Sequence, residues 1–287
     1  MKVWRDYDQA ALDLQYGTRN QIGDQYDAWA ERWRKESEAT RRALGPKVDI
    51  AYGPHPRHRL DIFLCALPKS PAPIVVFFHG GFWRSRDKAD YSYVANGLGS
   101  LGCVVAIVNY PLCPAATLDE IVASARNAVR WLLHHADEFG GDASRLYVTG
   151  HSAGAHLAAM CCCGDGTNPS ELPAGAIRGA LLSSGLYELE PARLCFVNAD
   201  IRLDTDQVTR LSPARLRPMA LSGSAIVAHG TAETDEFAWQ ANKLVGALTR
   251  YGADARIVQV KDANHYTIVP QLANGGTFLL GEFSKMI

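Results

Sequence analysis

The hydrophobic positions along the chain fall into two alternating patterns. Short, nearly continuous apolar runs occur at Ile74–Phe78, Val104–Val108, Leu146–Thr149, Ala180–Ser183, Ala225–Ala228 and Arg256–Val260. Runs of this length without polar alternation predict strands covered on both faces. Between and after them lie stretches with helical spacing at Lys88–Ser100, Leu118–Phe139, Ala153–Cys162, Phe237–Tyr251 and Gln271–Met286. Strand and helix in alternation predict a mostly parallel sheet with helices on both sides. Ahead of this series, Val48–Tyr52 and Leu60–Leu64 flank Gly53-Pro54-His55-Pro56 and predict a hairpin that adds an antiparallel edge.

Two segments break the rhythm. From Asp6 to Leu44 the chain is rich in Ala, Gln, Arg and Glu, with Leu12, Leu14, Tyr16, Trp29 and Trp33 scattered among them. This predicts one or two amphipathic helices broken near Gly23, with the charge run Glu31–Arg42 as a solvated face. Its aromatic residues need cover, and a flank or lid on the main body supplies it. Leu186–Pro218 has no clear strand and carries Pro191, Pro213 and Pro218. It reads as a cap insertion over the C-terminal edge of the sheet, where open α/β sheets bind ligands. The expected organisation is thus one domain over 1–287, with a helical flank at 1–45 and a cap at 186–218, built on a sheet of about eight strands.

Composition narrows the function. With 47% hydrophobic and 21% charged residues the chain is an ordinary globular protein, which excludes disordered and fibrous classes. Lys plus Arg number 29 and Asp plus Glu 30, so the net charge of -1 gives no overall attraction to nucleic acid or anionic membrane. The apolar runs fall short of the ~20 residues that span a bilayer. Met1–Ala10 is mixed and polar, unlike a signal peptide. The seven cysteines are odd in number, three are consecutive (Cys161, Cys162, Cys163), and none repeats at zinc spacing. A cytoplasmic protein with buried, inert thiols is the expectation. No cofactor is implied: the chain has neither a G-x-G-x-x-G nor a G-x-x-x-x-G-K-[ST] motif. His55-Pro56-Arg57-His58 reads as a surface turn, not a metal site. Apolar edge strands and the N-terminal helices leave room for a homodimer.

The candidate chemistry sits at strand ends. Gly150-His151-Ser152-Ala153-Gly154 has the G-x-S-x-G form, follows a predicted strand and opens a predicted helix. That context is the one a nucleophile elbow needs, with Ser152 exposed at a sharp turn beside the positive end of a helix. His79-Gly80-Gly81-Phe82-Trp83 follows the strand Ile74–Phe78. Acyl transfer builds negative charge on a carbonyl oxygen, and the Gly81 and Phe82 amides, joined by that of Ala153, are the expected oxyanion donors. His265, just after the last strand, is the expected base. His55, His58, His134, His135 and His156 lie away from the expected edge, His79 and His151 flank the motifs, and His229 is the one rival. The acid belongs between nucleophile and base, where Glu233, Asp235 and Glu236 compete. Glu233 ranks first because it lies in the tight turn, whereas the other two favour the start of the following helix.

These motifs resemble the α/β-hydrolases of the hormone-sensitive-lipase-like and arylformamidase (kynurenine formamidase) group. The likeness rests on His79–Trp83, on Gly150–Leu157, on the acid loop Gly230–Phe237, on Tyr7–Tyr16 and on Tyr110–Leu118. It differs from the group at one point: the acid position is expected to hold Asp in animal formamidases, and Glu233 stands here. The resemblance implies hydrolysis of a small N-formyl aromatic amide such as N-formylkynurenine, with a carboxylesterase of short acyl esters as the alternative. A non-catalytic binding protein of the same fold is disfavoured because nucleophile, base and oxyanion loop are all present. Trp83, Tyr187 and Phe237 are the candidate contacts to an aromatic ring, against simple packing as the plainer reading.

Overall fold

The computed structural model describes residues 1–65, 71–164, 166–168 and 171–287. Eight strands, β1 (Lys47–Ala51), β2 (Arg59–Phe63), β3 (Ala72–Phe78), β4 (Val104–Val108), β5 (Gly141–His151), β6 (Gly179–Ser183), β7 (Ala225–Gly230) and β8 (Ala255–Val260), form one sheet in the order β1-β2-β4-β3-β5-β6-β7-β8. From β4 to β8 all pairings are parallel, while β2 runs antiparallel to both β1 and β4. Every residue of β3 and β4 is buried. Along β3, Ile74, Val76 and Phe78 enter the core on one face, and Val75 and Phe77 the core on the other. A strand covered twice needs apolar side chains at both parities, which accounts for its unbroken hydrophobic run.

The helices are α1 (Gln9–Tyr16), α2 (Thr18–Ile22), α3 (Gln25–Leu44), α4 (Val94–Ser100), α5 (Leu118–His134), α6 (Ala153–Cys162), α7 (Glu190–Leu194), α8 (Asn198–Ile201), α9 (Thr205–Leu211), α10 (Asp235–Arg250) and α11 (Phe278–Ser284). Their ends follow local chemistry. Thr117 and Glu120 form a capping box that opens α5. Gly45, at φ +54°, closes α3 and donates to Arg41 O, with Arg41 and Arg42 in the last turn. None of the helices is long and apolar enough to cross a membrane among the described residues.

Several expected boundaries shift. The N-terminal segment holds three helices, and Gly23 lies at the predicted break with φ +50°. The stretch 88–100 is a 3-10 turn at Lys88–Tyr91 followed by α4, because Lys88 is drawn inward onto the buried Asp61. The stretch 118–139 ends its α-helix at His134 and finishes as a 3-10 turn. The last helix starts at Phe278 and not near Gln271, since Gly275 and Gly276 intervene and Gly276 takes φ +80°. Residues 186–218 carry α7, α8, α9 and a 3-10 turn, and no strand.

Candidate active site

Parallel register brings the C-terminal ends of the central strands level. Phe78 pairs with Gly150, His151 with Ser183, Ser183 with Ala228, and Gly230 with Val260. The loops that leave these ends are the ones in which the sequence motifs lie.

Ser152 stands between β5 and α6 at φ 55° and ψ -122°, a conformation that costs an L-residue about 1–3 kcal/mol. Neighbouring contacts hold it there. The Ser152 amide donates to Ser183 O at 2.9 Å, and Ser152 O accepts from the His156 amide. Gly154 is needed because a Cβ there would lie 2.0 Å from Phe78 O, so only glycine lets α6 press against β3. Ala153 is the first residue of α6, and its N–H therefore has no intrahelical acceptor.

The loop after β3 turns sharply. Gly81 has φ +112°, Phe82 +48° and Trp83 +56°. A Cβ on Gly81 would meet Ser85 O at 2.4 Å, and Gly81 O accepts from the Arg84 and Ser85 amides. Among the described residues, no protein group accepts from the Gly81 or Phe82 N–H. His79 anchors the loop from below: it is fully buried, its ring pairs with Gly80 O, Tyr110 stacks on it at 4.3 Å, and the Tyr110 hydroxyl donates to His79 O. Burial pushes the His79 imidazole down to about 4, so it stays neutral.

His265 Nδ1 lies 2.7 Å from Glu233 Oε1. The other oxygen, Oε2, accepts from Ser184 Oγ and from the Gly230 amide, each at 2.7 Å. The ring of Phe237 packs on His265 at 4.6 Å and that of His151 at 4.5 Å. Burial holds the His151 imidazole well below its ordinary range. The competing acids face elsewhere. Asp235 opens α10. Glu236 is fully buried and accepts from Trp4 Nε1, Arg5 and the Tyr16 hydroxyl. His229 is buried with Nδ1 near Gly230 O and lies outside the cavity.

Ser152 and His265 open onto one cavity of about 300 Å³. Its lining includes Gly81, Phe82, Arg84 and Arg86 from the loop after β3, His151, Tyr266, and Phe196 between α7 and α8. The N-terminal helices supply Tyr16, Thr18, Arg19, Tyr26 and Trp33. The three candidate ring contacts take the packing positions that the plainer reading gives them. Trp83, Tyr187 and Phe237 are buried to 0–1% exposure and do not line the cavity. Trp83 packs edge-on to His156 and Phe237 against His265, while the Tyr187 ring fills the space a side chain at Gly185 would take. They support the site from behind, and the N-terminal aromatics take the wall.

Sequence reasoning missed Ser184 and the wall residues Tyr16, Tyr26 and Trp33. Ser184 carries a faint signal, since Ser183-Ser184-Gly185 directly follows a predicted strand at the motif-bearing edge. The cysteines take no part: Cys161 and Cys163 are buried and burial pushes their thiols up to about 12. Among the described residues, no group of three His, Cys, Asp or Glu side chains is arranged to hold a metal ion.

Comparison with known proteins places this geometry in context. The BD-FAE family profile matches residues 60–173. Kynurenine formamidase of Danio rerio is 30% identical over 296 residues, covering 100% of this chain and 99% of that protein. A solved chain from a Silicibacter species superposes with a TM-score of 0.81 at 30% identity, covering 94% of this chain and 97% of the other. An esterase of Pyrobaculum calidifontis superposes with a TM-score of 0.66 at 19% identity over 95% of this chain and 96% of its own, a likeness of fold.

Proposed function

Because this chain belongs to the kynurenine formamidase family of α/β-hydrolases, we propose that it hydrolyses a small N-formyl aromatic amide, with N-formylkynurenine as the substrate and kynurenine and formate as products. The observation that carries the reading is the arrangement of three side chains. Ser152 sits on a strained strand-to-helix turn, it shares a cavity with His265, and His265 Nδ1 meets a doubly held Glu233 carboxylate.

In this mechanism His265 Nε2 takes the Ser152 proton as Oγ attacks the formyl carbon. Glu233 fixes the ring and stabilises the imidazolium that forms. The Gly81, Phe82 and Ala153 amides hold the developing oxyanion. The tetrahedral intermediate collapses as His265 gives its proton to the departing arylamine, leaving formyl-Ser152. Water, deprotonated by His265, then attacks the formyl carbon; formate leaves and the serine regains its proton. Phe82 beside the oxyanion donors limits the acyl group, which suits formyl.

A carboxylesterase of short acyl esters uses the same steps with an alcohol as leaving group, and the esterase-like fold of the solved relatives makes this a related activity. The deciding experiment is kcat/KM of purified enzyme on N-formylkynurenine against short p-nitrophenyl esters. Strong ester turnover without formamide turnover overturns the formamidase reading. Cys103, Cys113, Cys161, Cys162, Cys163 and Cys195 carry free thiols, which fits the reducing cytoplasm proposed for the enzyme.

A further inference from the structure

The turn between β1 and β2 takes no part in the proposed chemistry, yet its bonds converge on one side chain. His58 pairs through Nε2 with Ser124 Oγ and accepts at Nδ1 from the His55 amide, and the Tyr52 ring stacks on it at 4.9 Å. Leu60 pairs with Val108, so the turn stands at the C-terminal end of β4, one strand from β3. From there the half-buried Arg57 reaches inward. Its Nε donates to Tyr110 O at 2.8 Å, its Nη2 to Arg86 O at 3.0 Å and Asn109 Oδ1 at 3.3 Å, and its Nη1 to Asp87 Oδ2 at 3.3 Å. Asn109 closes the cluster: Nδ2 donates to Asp87 Oδ2, and Oδ1 accepts from the Lys88 amide, each at 2.7 Å.

Both ends of the loop after β3 are gripped in this way. Tyr110 holds its start through the ring and carbonyl of His79, and Arg86 and Asp87 are its finish. Between these ends Phe82, Trp83 and Arg86 sit at φ +48°, +56° and +79°, which costs each L-residue about 1 kcal/mol or more. A loop wound against its own preference needs outside restraint, and oxyanion donors act fully only when they are preorganised. A guanidinium suits the task, since its donors leave a rigid plane in fixed directions and an ammonium has no such fork. Arg57 does not line the cavity, so it acts at a distance. We propose that Arg57 is a positioning residue for the reaction: with Asn109 and Asp87 it locks the loop after β3 so that the Gly81 and Phe82 amides stay aimed at the oxyanion. The proposal rests on the serine-hydrolase reading of that loop and adds a residue that touches no substrate.

The test isolates the oxyanion site. Phenylboronic acid mimics the tetrahedral intermediate by bonding a serine oxygen and placing a boron-bound oxygen among the oxyanion donors. Kinetics on N-formylkynurenine and on p-nitrophenyl acetate, with phenylboronic acid as inhibitor, are measured beside melting temperature. Arg57→Gln is expected to lower kcat about 10-fold at nearly constant KM and to weaken phenylboronic acid by a similar factor. Arg57→Lys is expected to restore part of both. Should Arg57→Gln fail to fold, Asp87→Asn carries the same comparison from the other side of the pair, with a smaller loss. A lowered melting temperature with kcat and inhibitor affinity intact overturns the proposal, as does a fall in kcat with inhibitor affinity unchanged. Equal inhibitor binding by wild type and Ser152→Ala overturns the hydrolase reading and the proposal with it. Absence of formamide turnover alone overturns the proposed substrate and leaves the comparison readable on the ester.

Discussion

Ser184 Oγ donates to Glu233 Oε2 at 2.7 Å while His265 Nδ1 meets Glu233 Oε1 at the same distance. The serine thus fixes the carboxylate that fixes the imidazole, and it does so from the end of β6, a strand that carries none of the sequence motifs. Replacing Ser184 with Ala is expected to lower kcat about 10-fold with KM nearly unchanged, as for loss of one hydrogen bond to a charged group. Glu233→Gln, which removes the charge and forces the wrong tautomer, is expected to lower kcat by about 10⁴. Steady-state kinetics on both variants check the order; equal losses for the two break the argument.

Ser152→Ala is expected to abolish labelling by a fluorophosphonate probe and to remove all but about 10⁻⁶ of kcat. The cysteines provide the control. With thiols held near 12 by burial, Cys161 and Cys163 are expected to resist iodoacetamide in the native protein at pH 7.5 and to react after unfolding. Mass spectrometry of labelled peptides reads both; retained activity in Ser152→Ala means that another nucleophile acts.

Gly81→Ala tests the oxyanion loop. The residue sits at φ +112°, and a Cβ would press to 2.4 Å from Ser85 O. The loop must shift, and with it the donors nearest Ser152. The expected result is a fall in kcat of about 10²-fold, the order seen when one oxyanion donor is lost, with a melting temperature within a few degrees of wild type. A large drop in melting temperature with kcat intact assigns the glycine to folding alone.

Glu236 links the N-terminal arm to α10. It accepts from Trp4, Arg5 and Tyr16, and Gln240 donates to the same Tyr16 hydroxyl. Glu236→Ala strands the buried Tyr16 hydroxyl and removes the acceptor of Trp4 and the exposed Arg5, and a loss of about 2 kcal/mol in urea unfolding is expected. Because Tyr16, Thr18 and Arg19 line the cavity, KM for an aromatic substrate is expected to rise more than kcat falls. An unchanged KM detaches the arm from substrate binding.

Acid stability follows from buried imidazoles. His79 and His156 are pushed down to about 4 by burial, and His151 is shifted in the same direction. In the unfolded chain a histidine titrates near ~6.5. Between pH 6.5 and 4 the unfolded state therefore binds protons that the native state refuses, so stability falls as pH falls through this window and is unaffected above it. At pH 5 each of the two contributes about 2 kcal/mol to that loss. His156 lies outside the cavity lining, and its Nε2 pairs with Leu211 O at 2.8 Å. His156→Gln is expected to reduce the wild-type loss between pH 7.5 and pH 5 by about that amount in urea titrations at the two pH values.

What the sequence made legible followed from how local each signal is. The strands buried on both faces announced themselves because two cores demand apolar residues at every position of β3 and β4. Ser152 and the glycines of its turn were readable because strand, turn and helix are contiguous. Glu233 was separable from Asp235 and Glu236 because a carboxylate at a helix start has a competing use, and Glu236 has another, in the arm. The substrate wall was not legible. It joins Tyr26 to Arg86 across 60 residues of chain, and no local pattern marks such a pairing. For Trp83, Tyr187 and Phe237 the choice between ring contact and packing stayed open for the same reason, since adjacency to a motif does not reveal which side of the backbone a ring occupies. A net charge of -1 likewise concealed a cavity lined by three arginines.

The cavity wall from Tyr16 to Trp33 belongs to α1, α2, α3 and their joints, outside the sheet whose strand ends carry the proposed catalytic groups. It is joined to that body by core packing of Leu12, Tyr16 and Trp33 and by side-chain bonds, among them Glu236 to Tyr16 and Asp61 to Arg41. Selection can therefore rewrite what enters the site by altering the first 44 residues while the chemistry stays untouched. The architecture divides inheritance into a changeable mouth and a fixed engine, and grafting that segment between relatives becomes a direct route to new substrate ranges.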